Sequence, residues 1–182
     1  MNLAKLFEKQ KVLRDRIGYQ GEDRFEKLIL ALLVELGECA NEWRGFKFWS
    51  KNQNPRTKAA RAPYMDIEDA DFYNPLLDEY VDGVAFGLEL CIELGLRADQ
   101  LERFIDGRKK KIGSMEYHFG YIYHSTSELM NTGSIEDRAY KMLHIFNAFL
   151  GLGYRLGFTW EQIEQAYYTK MQINHVRQST GY

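Results

Sequence analysis

Apolar positions along this 182-residue chain recur mostly at helical spacing. Leu3, Leu6, Phe7, Val12, Leu13 and Ile17 form a first stripe, and Gly18 closes it. Residues 28–34 are apolar without a break, and the pattern predicts a central helix over residues 24–43. A helix that apolar all round belongs in a protein interior. It carries charge too soon to span a bilayer. A second mostly apolar run predicts a helix over residues 75–94, with Pro75 suited to its first turn. Residues 98–111 predict a further helix. Residues 117–123, YHFGYIY, alternate like a strand inside helical surroundings and read as helix or irregular structure. Ser134, with Asp137 three residues on, opens a helix carrying Met142, Ile145, Phe146 and Phe149 on one face, and Gly151 and Gly153 weaken its end. The last helix has the clearest start: Thr159 and Gln162 spell a capping box, Phe158 and Ile163 a staple, and it runs to about residue 178.

Between these elements, residues 45–74 form a long irregular connection holding Pro55 and Pro63. A loop of that length in a small domain is usually functional, and it reads as passing over the mouth of a site. No strand competes with the helices. The fold class is therefore all-α, in a single domain over residues 1–182.

Charge enters the apolar runs in a pattern that asks for an explanation. Glu35 and Glu38 follow the apolar start of the central helix, and Glu79 and Asp82 sit inside the second run. Each pair is spaced i, i+3, so each points from one helix face. Four carboxylates in one packed region repel, and each ionised group left dry and unpaired costs several kcal/mol. Raised pKa values, basic partners or metal ions resolve that cost. Oxygen-only ligands suit a hard cation, Mg2+ or Mn2+. A lone pair at this spacing is commonly just a solvated face; two pairs inside apolar runs favour the metal site.

The bulk composition narrows the classes. With 24 basic and 26 acidic residues the chain is near neutral, and neither a nucleic-acid-binding block nor a membrane-spanning segment is apparent. The run at residues 108–111 reads as a solvated helix end. Cys39 and Cys91 are the only cysteines and fall in apolar pattern, which reads as reduced buried thiols in a cytoplasmic protein. The N-terminal stretch is charged and amphipathic, without the apolar core of a signal peptide.

A basic stripe completes the picture. Lys170, Asn174 and Arg177 share one face of the last helix, with Gln178 beside them. Two cations and an amide in line make a phosphate grip. Taken alone, they read equally as a solvated helix end. Beside an acidic metal site they match a metal–polyphosphate substrate: cations bridging phosphate oxygens, a water attacking phosphorus in line, and a carboxylate accepting its proton. Lys47 and Trp49, just past the first acid pair, read either as a phosphate contact and a base cover or as a surface lysine and an aromatic closing the core.

Three segments together carry a resemblance. ELGECANEWRGFKFWS (residues 35–50), DEYVDG (78–83) and GFTWEQIEQAYYTKMQINHVRQSTGY (157–182) resemble the dimeric, all-α dUTPases, the branch related to MazG-type nucleotide pyrophosphatases. The resemblance implies a helical bundle of the all-α NTP pyrophosphatase type and Mg2+-dependent hydrolysis of dUTP, and of dUDP, to dUMP. By position it makes Glu35, Glu38, Glu79 and Asp82 the metal ligands, with Glu35 orienting or deprotonating the attacking water. It assigns Lys170, Asn174, Arg177 and Tyr182 to phosphates and sugar, and Gln10, Asn41, Lys47 and Trp49 to framing the nucleotide. It also implies a homodimer. Three positions depart from the family pattern: Ala85 where a histidine is frequent, Met171 where an asparagine follows the lysine, and Arg14 where an aspartate follows the leucine. These touch base and sugar selectivity rather than the metal ligands. Two other readings stand beside this one: a pyrophosphatase for another nucleotide such as dCTP, and a protein-binding regulator of the kind seen among viral relatives, using residues 51–74 or the aromatic segment near Tyr121.

Overall fold

Helix α1 (Leu3–Ile17) begins where Asn2 accepts a hydrogen bond from the Lys5 amide and ends at Gly18, whose φ of 63° supplies the left-handed cap. The computed structural model describes residues 2–61, 71–105 and 113–181, and seven α-helices are present among them. The others are α2 (Arg24–Trp43), α3 (Pro75–Glu93), α4 (Ala98–Phe104), α5 (Met115–Glu128), α6 (Ile135–Arg155) and α7 (Trp160–Thr180). The only strand pairing among the described residues is a two-residue antiparallel ladder, β1 (Ala59–Ala60) with β2 (Phe72–Tyr73). The all-α class holds.

The helix starts lie where the capping residues placed them. Asn74 accepts from the Leu77 amide, Ser114 from Tyr117, and Ser134 from Asp137. At α7 both arms of the capping box form: the Gln162 amide donates to Thr159 Oγ1 and the Thr159 amide to Gln162 Oε1. The Phe158–Ile163 staple lies in the core. Two expectations change. The fourth helix, expected to reach residue 111, stops at Phe104 because Ile105 leaves helical geometry (ψ 83°); residues 106–112, with the basic run, lie outside the described residues. The 117–123 segment is helical. Its buried side chains are His118, Phe119, Ile122 and Thr126, a helical spacing that the alternating aromatics obscured.

Helices α2 and α3 form the most extensive helix pair, burying Leu32, Leu36 and Cys39 against a chain of α3 residues including Tyr80, Val84 and Leu88. Behind them α6 approaches α3 closely because Gly83 and Gly87 present no side chains. A Cβ at Gly83 would lie 2.4 Å from Phe149 Cζ, and one at Gly87 2.9 Å from the Phe146 ring. Tyr80 fits the reciprocal notch at Gly153, stacks on Phe149 and donates its hydroxyl to the Phe149 carbonyl. Helices α1 and α7 pack together on the other side of α3. There the buried Tyr167 hydroxyl reaches the Leu6 carbonyl and, at 2.8 Å, Gln10 Oε1. Cys39 and Cys91 are buried free thiols, as their pattern implied. No helix among the described residues is long and apolar enough to cross a membrane.

Candidate active site

The tight pairing of α2 and α3 brings the two acid pairs together. Oxygens of Glu35, Glu79 and Asp82 lie within 4.8 Å of one another. Each is only partly exposed. Burial, followed by the charges of Asp82, Glu38 and Glu79, pushes the Glu35 carboxyl up to about 7. Burial and the charges of Glu38 and Asp82 do the same to Glu79, also to about 7. Glu38 lies outside the tight cluster on an exposed position, close enough to repel both. This is the electrostatic state of acids gathered for a cation. The donors are hard oxygens, and they fit Mg2+ or Mn2+. The adjacent Cys39 is no competitor: burial holds it as a thiol.

Helix α7 supplies the opposite charge. Lys170 Nζ lies 2.7 Å from Asp82 Oδ2 and 2.7 Å from Asp78 Oδ2, with little of its side chain exposed. Burial raises the Asp82 carboxyl, and the Lys170 contact opposes that rise. Arg177 adds favourable charge at Asp82. Asp78 was not singled out from the sequence. At the start of α3 it reads as a first-turn acid, yet it sits one turn from Asp82 on the same face.

Beside the cluster opens a cleft of about 400 Å3 between α1, α2, α3 and α7. Asp82, Asn174 and Arg177 lie on its wall, so acids and basic stripe meet at one cavity. Leu13, Leu28, Ala31, Ala85, Phe86 and Met171 make much of the remaining lining apolar, as nucleoside and ligand pockets usually are. Gln10 also lines it, and its amide is held at both ends: Nε2 donates to Glu89 Oε2 at 2.9 Å, and Oε1 accepts from Tyr167. Glu89 in turn accepts from Arg14 Nη1 at 2.7 Å. Arg14 also pairs with Glu93, and Arg24 lies 3.7 Å from Glu93. Sequence reading did not find this Arg14–Glu89–Glu93 group. Its partners lie some seventy-five residues apart, and only the i, i+4 spacing of Glu89 and Glu93 hinted at a shared face.

The remaining candidates sit elsewhere. Lys47 donates to Asn41 beyond the C-terminal end of α2, and neither lines the cleft. Trp49 is 65 % exposed and meets Phe46 and Phe48 edge-on, so it does not close the core. The described part of the 45–74 connection is fastened to the helix ends instead: the Arg56 amide donates to the Glu42 carbonyl, the Leu76 amide to the Arg56 carbonyl, and the Arg56 and Glu42 side chains pair. None of its described residues lines the cleft. Residues 62–70 and Tyr182 lie outside the described residues. Tyr121 lines a second cleft, with His124, Glu128, Lys141 and His144, between α5 and α6.

An all-α bundle with an acidic cluster and two cations of one helix beside it suits a hydrolase acting on nucleoside triphosphates, the class that the family below implies. The family model described as dUTPase matches residues 2–69 and 68–182, and the chain belongs to the dUTPase family. Membership implies dUTP diphosphatase activity, in a family generally dependent on a divalent metal, which the acidic cluster fits. No curated protein matches the chain.

Proposed function

We propose that this chain hydrolyses dUTP, and also dUDP, to dUMP with Mg2+, Mn2+ serving in its place. The observation that carries the reading is the shared cleft: Asp82 of the acidic cluster and Asn174 and Arg177 of α7 line one cavity, which also takes in Leu13, Leu28, Ala85 and Met171 and the charged pair Arg14 and Glu89. Triphosphate belongs at the acidic-cluster end and nucleoside along α3 toward Glu89. Glu35, Glu79 and Asp82, with Glu38 beside them, would hold the cation, which neutralises phosphate charge and acidifies water. Water oxygen bonds to the α-phosphorus as the bond from that phosphorus to the bridging oxygen breaks, and pyrophosphate leaves. With dUDP the same step releases phosphate, because the attacked phosphorus is the same. Glu35 orients the water and takes its proton on a carboxylate oxygen. Lys170, which bonds Asp78 and Asp82, and Arg177 would offset charge on the leaving group. Gln10, pinned by Glu89 and Tyr167, presents a fixed amide to the nucleoside. The family resemblance alone assigns Asn41, Lys47, Trp49 and Tyr182 to the nucleotide.

The working unit is a homodimer. Leu30 and Val34, one turn apart on α2 and both about half exposed, support a helical interface there. The free buried thiols suit a reducing cytoplasm.

A substrate panel tests the reading. Purified protein with Mg2+ is given each dNTP, each NTP and dUDP, and products are separated. Preference for dUTP, with dUMP and pyrophosphate as products and activity lost to chelator, is the expected outcome. Wild-type rates from Glu38→Gln would overturn its assignment as a ligand.

A further inference from the structure

Helix α3 gives the cleft a length scale. Asp82, Ala85 and Glu89 line it in order. Seven residues separate the first from the last, about 10 Å along the helix axis. With phosphates at the Asp82 end, a nucleoside running along α3 sets its sugar at the level of Ala85 and the far edge of its base at the level of Glu89. In a pyrimidine nucleoside the sugar is on N1, and the ring atom opposite N1 is C4. The side chains at the Glu89 level therefore meet the substituent on C4.

Glu89 does not read that substituent itself, because both its oxygens are engaged, one by Arg14 and one by Gln10. Arg14 is different. Glu89 and Glu93, one turn apart on α3, hold its guanidinium from two points, and these bonds take two of its five N–H donors. The group is planar, donor-only and always charged. It lines the cleft together with Leu13, Ile17 and Leu28 and with two further cations, Arg24 and Lys27, and once a bound base excludes water an unmatched donor there is costly.

We infer that Arg14 selects the base, donating to a carbonyl oxygen on C4 and rejecting an amino group there. Uracil presents the oxygen. Cytosine presents N–H donors, so donor would face donor in a desolvated site, a repulsive element as well as a lost bond. Glu89 and Glu93 act through Arg14 as positioning residues. This inference rests on the proposed function, since it takes the cleft as the nucleoside site.

Two measurements test it. In the wild-type protein, kcat/KM for dUTP is compared with that for dCTP and for the 4-thio analogue, which keeps N3–H and puts a weakly accepting sulfur in place of the C4 oxygen. A loss of about 10- to 100-fold for the analogue, and more for dCTP, is expected. Then Arg14→Lys, which keeps the charge and loses the fork, should shrink the dUTP-to-dCTP ratio at least tenfold, a change that a merely structural role would not make because it lowers both rates together. An analogue turned over like dUTP by the wild type overturns the inference without any variant needing to fold. A ratio unchanged in Arg14→Lys overturns it too. If the wild type turns over dUTP, either result leaves the proposed function standing. If the wild type turns over no dUTP, the functional reading fails first and takes this inference with it.

Discussion

Lys170 Nζ and Asp82 Oδ2 are 2.7 Å apart, so this acid of the carboxylate cluster already carries an internal counter-ion. The same ammonium bonds Asp78. On the proposed function, a cation held by the cluster would compete with this lysine for one carboxylate.

Removing that competitor separates two properties that normally move together. Lys170→Met should bind Mg2+ more tightly in the absence of nucleotide, on the order of tenfold, because a positive charge leaves the neighbourhood of the ligands. Its kcat/KM should fall by about 100-fold or more as phosphate stabilisation is lost. Calorimetric Mg2+ titration and steady-state kinetics on the same preparation check both. Weaker Mg2+ binding would show that Lys170 holds the cluster in shape rather than competing for it.

The acidic cluster makes stability depend on pH with a definite sign. Glu35 and Glu79 ionise near 7 in the folded chain, against about 4.5 in ordinary surroundings. Between those values the folded state holds more protons than the unfolded one. Stability from these groups is therefore full below about 4.5 and declines as pH rises to about 7. Thermal unfolding in chelator should show a melting temperature dropping across that window. Saturating Mg2+ should flatten the drop, because cation binding requires the deprotonated ligands and stabilises only the folded state.

Glu35→Gln should reverse the usual relation between activity and stability. Losing the proton acceptor should lower kcat by about 100- to 10,000-fold. Losing a repelling charge should raise the melting temperature of the metal-free protein at pH 8 above that of the wild type. A variant that is inactive and also less stable at that pH would point to a structural role for the carboxylate.

The close approach of α3 and α6 depends on two missing side chains. Gly83→Ala puts a methyl group where Phe149 Cζ already lies 2.4 Å away. The overpacking should cost about 1–3 kcal/mol, read as a lower denaturant midpoint. A partial recovery in Gly83→Ala with Phe149→Leu would locate the strain at that contact.

Much of this molecule was legible in the chain because its signals are local. Ser134 and Thr159 announce helix starts through bonds to amides three residues on, and Gly18 announces an end. Glu35, Glu38, Glu79 and Asp82 stood out because charge inside an apolar run needs a compensating structure. What stayed hidden was nonlocal. Nothing beside Arg14 in the chain marks it as the partner of Glu89 and Glu93, nor Tyr167 as the partner of Gln10. Asp78 was masked by a simpler role, since an acid in a first helical turn already has an electrostatic reason to be there. The aromatic run at residues 117–123 misleads for a third reason: tyrosines at positions 117, 121 and 123 reach the helix flank or solvent, so the visible alternation is not the burial pattern.

The bond from Tyr167 to the Leu6 carbonyl joins the first helix to the last. On a translating ribosome, α1 emerges first and waits for its partner until α7 has been made. Until then Leu3 and Leu6 have no complete cover, and one wall of the cleft is missing. Synthesis interrupted before α7 thus yields a chain that carries all four carboxylates yet has no counter-charge and leaves a sticky helix at its beginning. The acidic cluster and its counter-charge therefore come together only when the final helix docks.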